Sequence, residues 1–201
     1  MMAGMATEDR RTRERAARRR LIVDTARRLA EAEGWDAVTT RRLSTEIEYS
    51  QPVLYKHFSG MDHVAAAVAI DGFGELARRL HTARADADSP NEALARMAYA
   101  YLDFAHDNPA VYDAMFTSRT PLRFAVEDTP PELVAAFSEL RQAVSAVAND
   151  ADADSLTEVF WAALHGLTTL SRGGRLRPDY DRERVDLLTA QFCAANGQPR
   201  S

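Results

Sequence analysis

Residues 44–58 read Ser-Thr-Glu-Ile-Glu-Tyr-Ser-Gln-Pro-Val-Leu-Tyr-Lys-His-Phe, and this stretch decides the interpretation of the chain. Its pattern is typical of two short helices joined by a tight turn, with Gln51, Tyr55 and Lys56 on the outer face of the second helix. Such a helix-turn-helix presents its second helix to the DNA major groove. The sequence therefore predicts a DNA-binding regulator rather than an enzyme.

The predicted second helix divides into two faces, because an α-helix turns about 100° per residue. The inward face is Val53, Leu54, His57 and Phe58, and the outward face is Gln51, Pro52, Tyr55 and Lys56. Gln can pair with adenine, Lys can reach guanine or phosphate, and a Tyr hydroxyl can bond phosphate. Thr39 or Thr40 is predicted to cap the first of the two helices, and Ser50 the second. Helix N-termini of this kind attract phosphate, and Arg41 adds charge. The alternative reading is an ordinary solvated polar face.

Helical periodicity recurs along the rest of the chain, and no segment alternates as a strand does. Gly34 is expected to end the first helix, and residues 118–131 are expected to form a loop with three prolines. The other predicted helices cover about residues 12–33, 40–47, 62–82, 90–107, 109–117, 132–149, 153–172 and 181–195. The expected fold is all-α with about nine helices, three of them in a DNA-binding domain. The predicted divisions are a disordered basic arm (1–13), a helix-turn-helix domain (14–60), an effector-binding and dimerisation domain (61–196) and a tail (197–201).

The charge of the chain is unevenly distributed. The net charge is −5, but residues 1–60 hold 12 Lys and Arg against 9 Asp and Glu, whereas residues 61–201 hold 13 against 21. A basic head on an acidic body indicates that only the head meets a polyanion.

Several function classes find no support in the sequence. We expect no transmembrane helix and no secretory signal, because no long apolar run occurs. Cys193 is the single cysteine, which predicts no disulfide, no cysteine-based zinc site and a reducing cytoplasm. The sequence holds none of the common phosphate-binding, metalloprotease or nucleophile-elbow motifs, so we expect no enzyme, no cofactor and no metal. The alternative function is a protein-interaction adaptor with weak or no DNA binding.

The pattern extends beyond the helix-turn-helix, and residues 21–64 resemble the DNA-binding domain of TetR-type transcriptional regulators. The matching residues are Ile22, Ala26, Leu29, Gly34, Trp35, Thr39, Leu43, Ser50, Leu54, Tyr55, His57, Phe58 and Asp62. The resemblance implies an all-helical homodimer that binds a palindromic operator and is released by a ligand, with His57 among its DNA-facing residues. Glu48 stands where the family usually has Gly, and Met61 where Lys is common. The arginines of residues 10–20 could compensate as a flexible arm in the minor groove.

The second half resembles a C-terminal type of the same family that carries a Trp-His-Gly signature, here Trp161, His165 and Gly166. A cluster of aromatic and Met residues predicts an apolar ligand pocket, although such residues are commonly plain core. The predicted pocket residues are Met97, Tyr101, Phe104, Tyr112, Met115, Phe116, Trp161 and His165. The predicted dimer interface uses Ala162, Ala163, Gly166, Val185, Leu188 and Phe192 on the last two helices.

Overall fold

The computed structural model describes residues 2–116, 122, 126–148 and 152–196, with side chains from residue 10 to 195. Residues 118–121 and 123–125 of the predicted loop, and the predicted tail at 197–201, lie outside these residues. Within the described ranges the chain forms nine α-helices and no strand, which confirms the all-α prediction. The helices are α1 Met2–Glu33, α2 Thr40–Glu46, α3 Gln51–Tyr55, α4 Met61–Ala85, α5 Pro90–Asp107, α6 Pro109–Phe116, α7 Pro131–Val147, α8 Ala153–Arg172 and α9 Asp181–Asn196. None of the helices in the described part is long and apolar enough to cross a membrane.

The chain divides into two compact units, and the division falls inside α4. The first unit is Met1–Gly72 with Asn108–Arg123, and the second is Phe73–Asp107 with Phe124–Ser201. Helix α6 therefore groups with the helix-turn-helix rather than with the other C-terminal helices. The predicted functional boundaries at residues 13, 60 and 196 stay predictions, because compactness does not report what a segment binds.

Helix α1 is longer than the sequence predicts at one end and ends where predicted at the other. The helix begins at Met2 instead of near residue 12, so helix continues through residues expected to be disordered. Ala, Arg, Met and Glu dominate this segment, and all have high helix propensity. At the other end the N–H of Gly34 bonds the carbonyl of Ala30 at 2.8 Å, and Gly34 has a φ of +83°. Glycine adopts this left-handed conformation without a steric cost, which stops the helix.

The core of the first unit forms where the sequence periodicity places it. Ile22, Ala26 and Leu29 on one stripe of α1 are at most 1 % exposed, and Leu43 of α2 is fully buried. Leu54 and Phe58 are 5 % and 6 % exposed. Each large side chain buried in this way contributes about 1.5–3 kcal/mol relative to exposure. These side chains hold α3 against α2, which in turn packs on α1.

Helix α6 is attached to α1 by polar contacts at its first turn. The Glu31 carboxylate accepts hydrogen bonds from the backbone N–H groups of Ala110 and Val111, each at 3.0 Å. The indole N–H of Trp35 donates to the carbonyl of Ala110 at 2.7 Å. A carboxylate at this position satisfies free N–H groups and complements the positive end of the helix.

The second unit packs α5 against α7, α8 and α9. Tyr101 and Phe104 on α5, Phe160 and Leu164 on α8, and Val185 on α9 are fully buried. The rings of Phe160 and Phe192 lie 5.1 Å apart between centroids, a favourable tilted pair. An additional hydrogen bond links Tyr99 on α5 to Asp186 on α9.

Candidate DNA-binding surface

Thr39 caps α2 as the sequence predicts. Its side chain accepts a hydrogen bond from the backbone N–H of Arg42 at 3.2 Å. The Arg42 guanidinium pairs with Glu33 at 3.1 Å and with Glu46 at 3.2 Å. Arg41, one residue earlier, is exposed. Helix α2 therefore begins at a satisfied cap with a basic side chain directed to solvent.

The turn between α2 and α3 adopts the left-handed backbone that the resemblance to TetR-type regulators associates with glycine. Glu48 has a φ of +56°, and the following N–H, of Tyr49, bonds the carbonyl of Ser44 at 3.1 Å. A non-glycine residue in this conformation costs about 1 kcal/mol. The turn geometry is thus retained despite the glutamate, and its exposed carboxylate lies close to the start of α3 in the sequence.

Helix α3 presents the predicted ridge. Gln51, Pro52, Tyr55 and Lys56 are all exposed, with Tyr55 at 56 %. Leu54 and Phe58 are buried on the opposite side, so the division into two faces holds in three dimensions. Ser50 occupies the N-cap position, but its side chain makes no capping hydrogen bond, so that part of the prediction is wrong. The Ser50 side chain is instead exposed beside the ridge.

His57 lies at the edge of the two faces and is half-buried. Burial lowers its pKa below the ordinary value, and the positive charges of Arg15, Arg18 and Arg19 lower it further. The ring is therefore neutral near pH 7 and offers a hydrogen bond rather than a charge. Arg19 also lies over the Phe58 ring, with its guanidinium carbon 4.3 Å from the centroid.

The predicted ligand residues divide between the two units. Tyr112 and Met115 are buried and Phe116 is half-buried in the first unit, with the Tyr112 and Phe116 rings 4.7 Å apart. The second unit holds the remaining five: Met97, Tyr101, Phe104, Trp161 and His165.

Within the second unit the structure brings two of these residues into direct contact. The Trp161 indole N–H donates to the Tyr101 hydroxyl at 3.2 Å. His165, one helical turn after Trp161, is half-buried, and this burial lowers its pKa. The buried polar residues of this unit also include Thr157, Thr168 and Thr189. The ligand pocket itself stays a prediction.

Two of the predicted dimer residues are in the wrong place for contact with a partner. Val185 is fully buried and Phe192 is 9 % exposed, because they form the inward stripe of α9. Ala162 is exposed, while Ala163, Gly166 and Leu188 are half-buried. The large apolar side chains that do reach solvent on these helices are Val159 at 61 %, Leu170 at 41 % and Leu187 at 60 %.

Other kinds of site find no support in the described residues. No group of three or more His, Cys, Asp or Glu among them is arranged to hold a metal ion. Burial raises the pKa of the Cys193 thiol, which disfavours the reactive thiolate.

The attachment of α6 through Glu31 and Trp35 was not predicted, because nearly 80 residues separate the partners and no local pattern signals the pairing.

Comparison with known proteins gives the same assignment. Residues 22–68 match the profile described as bacterial regulatory proteins of the tetR family, and residues 94–192 match the tetracyclin repressor-like C-terminal domain. The HTH-type transcriptional regulator Rv0681 of Mycobacterium tuberculosis is 30% identical over 172 residues, covering 83% of this chain and 75% of that protein. The HTH-type regulator YobS of Bacillus subtilis is 30% identical over 156 residues, covering 75% and 77%.

Solved structures share the fold. A protein of unknown function from Rhodococcus sp. RHA1 superposes with a TM-score of 0.76 at 24% identity, covering 90% of this chain and 95% of that one. RolR in complex with resorcinol gives a TM-score of 0.65 at 16% identity, covering 94% and 98%. The family profiles and the two relatives indicate a regulator and not an enzyme. The chain belongs to the TetR family of DNA-binding transcriptional regulators.

Proposed function

We propose that the protein is a ligand-responsive repressor that works in the cytoplasm and binds a palindromic operator as a homodimer. The observation that carries the proposal is the exposed ridge of Gln51, Tyr55 and Lys56, supported from behind by buried Leu54 and Phe58. A rigid support of this kind keeps the base-reading side chains at a fixed height and angle in the major groove. The adaptor alternative is favoured by two features, the Glu48 carboxylate near the ridge and Met61 in place of the common Lys.

Dimerisation through α8 and α9 would place two such ridges on one duplex. Val159, Ala162, Gly166 and Leu170 recur at helical spacing on α8, and Leu187 adds an exposed apolar side chain on α9. An added Cβ at Gly166 would meet nothing within 4 Å, so this part of α8 is open to close approach by a partner helix. For a two-fold dimer we expect operator half-sites about 34–36 Å apart, or a multiple of this spacing.

A ligand would act through unequal affinity for two conformations of the dimer. Support for an aromatic ligand comes from the polar contact of Trp161 with Tyr101, from nearby His165, and from RolR, which shares the fold and binds resorcinol. Helix α4 runs from the first unit into the second as one continuous helix, so it is the element that would carry a shift of its second half to the helix-turn-helix. Ligand contacts near Tyr101 are thereby proposed to shift α4 and to change the spacing of the two ridges.

Selection of duplexes from a random library, followed by mobility shifts, tests the proposal. The wild-type protein should enrich a palindromic sequence, and Gln51→Ala and Tyr55→Ala should each weaken the enriched duplex more than a scrambled one. Gln142→Ala, an exposed substitution on α7, is the matched control and should change neither. Failure to enrich any sequence would favour the adaptor. Addition of resorcinol-like phenols to the shifted complex then tests release.

A further inference from the structure

The N-terminal turns of α1 carry a stripe of arginines that points in a defined direction. Arg11, Arg15, Arg18 and Ile22 follow each other at intervals of four, three and four residues. At about 100° per residue these positions share one face of the helix. Ile22 is fully buried, and so are Ala26 and Leu29, which continue the same face. The face of α1 that packs into the core of the first unit is thus continued toward the N-terminus by exposed arginines.

This direction brings the arginine stripe alongside the end of α3. The charges of Arg15 and Arg18 act on His57, and Arg19 stacks on Phe58. Residues 10–20 are all exposed. Off the stripe, Arg10 pairs with Glu14 at 3.5 Å and Arg20 with Asp71 at 2.8 Å, so carboxylates of the protein partly offset their charge.

We propose that Arg11, Arg15 and Arg18 form a second DNA-contacting surface that follows the phosphate backbone next to the major-groove ridge. An α-helix with side chains is about 10–12 Å across, whereas the minor groove is about 6 Å wide, so this helix does not enter the minor groove as a flexible arm would. Arg11 lies about 10 Å along the axis from Arg18, which corresponds to about three base pairs of duplex. The surface lengthens each half-site contact without adding sequence preference, since phosphates carry no sequence information.

The inference rests on the proposed DNA binding and is tested through the salt dependence of affinity. The double variant R15Q/R18Q removes two charges from the stripe, and R10Q/R13Q removes two from elsewhere on the same helix. Gln has nearly the helix propensity of Arg, so both variants should keep the helical circular dichroism of the wild type. The probes are the duplex enriched by the wild-type protein and a scrambled duplex of equal length.

We expect R15Q/R18Q to reduce the slope of log affinity against log salt by about 1.8, at about 0.9 per lost phosphate contact. The loss of affinity should be equal for the enriched and the scrambled duplex, and R10Q/R13Q should change the slope by less than half as much. If the slope is unchanged in R15Q/R18Q, or changes equally in both variants, the arginine stripe does not contact the phosphates, and the proposed function is unaffected. If the wild-type protein enriches no duplex and shows no salt-dependent binding, the proposed function itself fails.

Discussion

Helix α4 packs against side chains of α6 at Gly72, a residue without a side chain. A Cβ built on Gly72 would lie 2.4 Å from Val111 Cγ1 and 2.9 Å from Met115 Sδ. Carbon atoms prefer separations of about 3.5–4.0 Å, so Gly72→Ala requires a shift of about 1 Å in a buried contact. Overpacking of this size costs about 1–3 kcal/mol, and the better helix propensity of Ala returns up to about 1 kcal/mol.

Gly74, two residues later on the same helix, provides the matched control. A Cβ there meets the Glu132 side chain at 3.4 Å and the Arg78 guanidinium at 3.7 Å, and both are ordinary contacts. Gly74→Ala should therefore stabilise the protein by about 0.5–1 kcal/mol. Thermal unfolding of the two variants, followed by circular dichroism, should give midpoints on opposite sides of the wild type, with Gly72→Ala lower by up to about 8 °C.

A double-mutant cycle identifies the cause. If the Val111 methyl is the obstacle, Val111→Ala should cost less in the Gly72→Ala background than in the wild type, because it then relieves a clash. If the Gly72→Ala variant is as stable as the Gly74→Ala variant, Gly72 does not limit the distance between α4 and α6, and the packing argument is wrong.

Three further predictions follow from the charges and exposed surfaces of the molecule. Replacing Glu48 by Gly should raise stability by up to about 1 kcal/mol through relief of the left-handed backbone, whereas Glu48→Gln should not, and both should tighten binding to random duplex in a mobility shift. The lowered pKa values of His57 and His165 mean that the unfolded chain binds more protons than the folded chain below their ordinary value of 6.5. The thermal unfolding midpoint should therefore decrease when the pH is lowered from 7.5 to 5.5, and this decrease should be smaller in His165→Gln. An equal decrease in that variant would exclude His165 as a cause. Leu187→Arg on α9 should shift the mass measured by light scattering from dimer to monomer, while Val134→Arg, at 50 % exposure on α7, should not.

Local sequence alone was sufficient for the helix-turn-helix. The stop at Gly34, the cap at Thr39 and the exposed ridge with Leu54 and Phe58 behind it all depend on residues within a few positions of one another. Helical periodicity, helix capping and the backbone freedom of glycine all depend on neighbouring residues, so they can be predicted from the sequence without knowledge of the fold.

Tertiary structure alone decided the features that join distant segments. The hydrogen bonds of Glu31 and Trp35 to the first turn of α6 place that helix in the first unit. No sequence pattern near either partner predicts these hydrogen bonds. On α9 both Val185 and Leu187 are apolar, yet the first is fully buried and the second 60 % exposed. A short helix with apolar residues on more than one side does not specify which of them faces the core. The neighbouring helices settle that choice, because burial depends on what packs against each side.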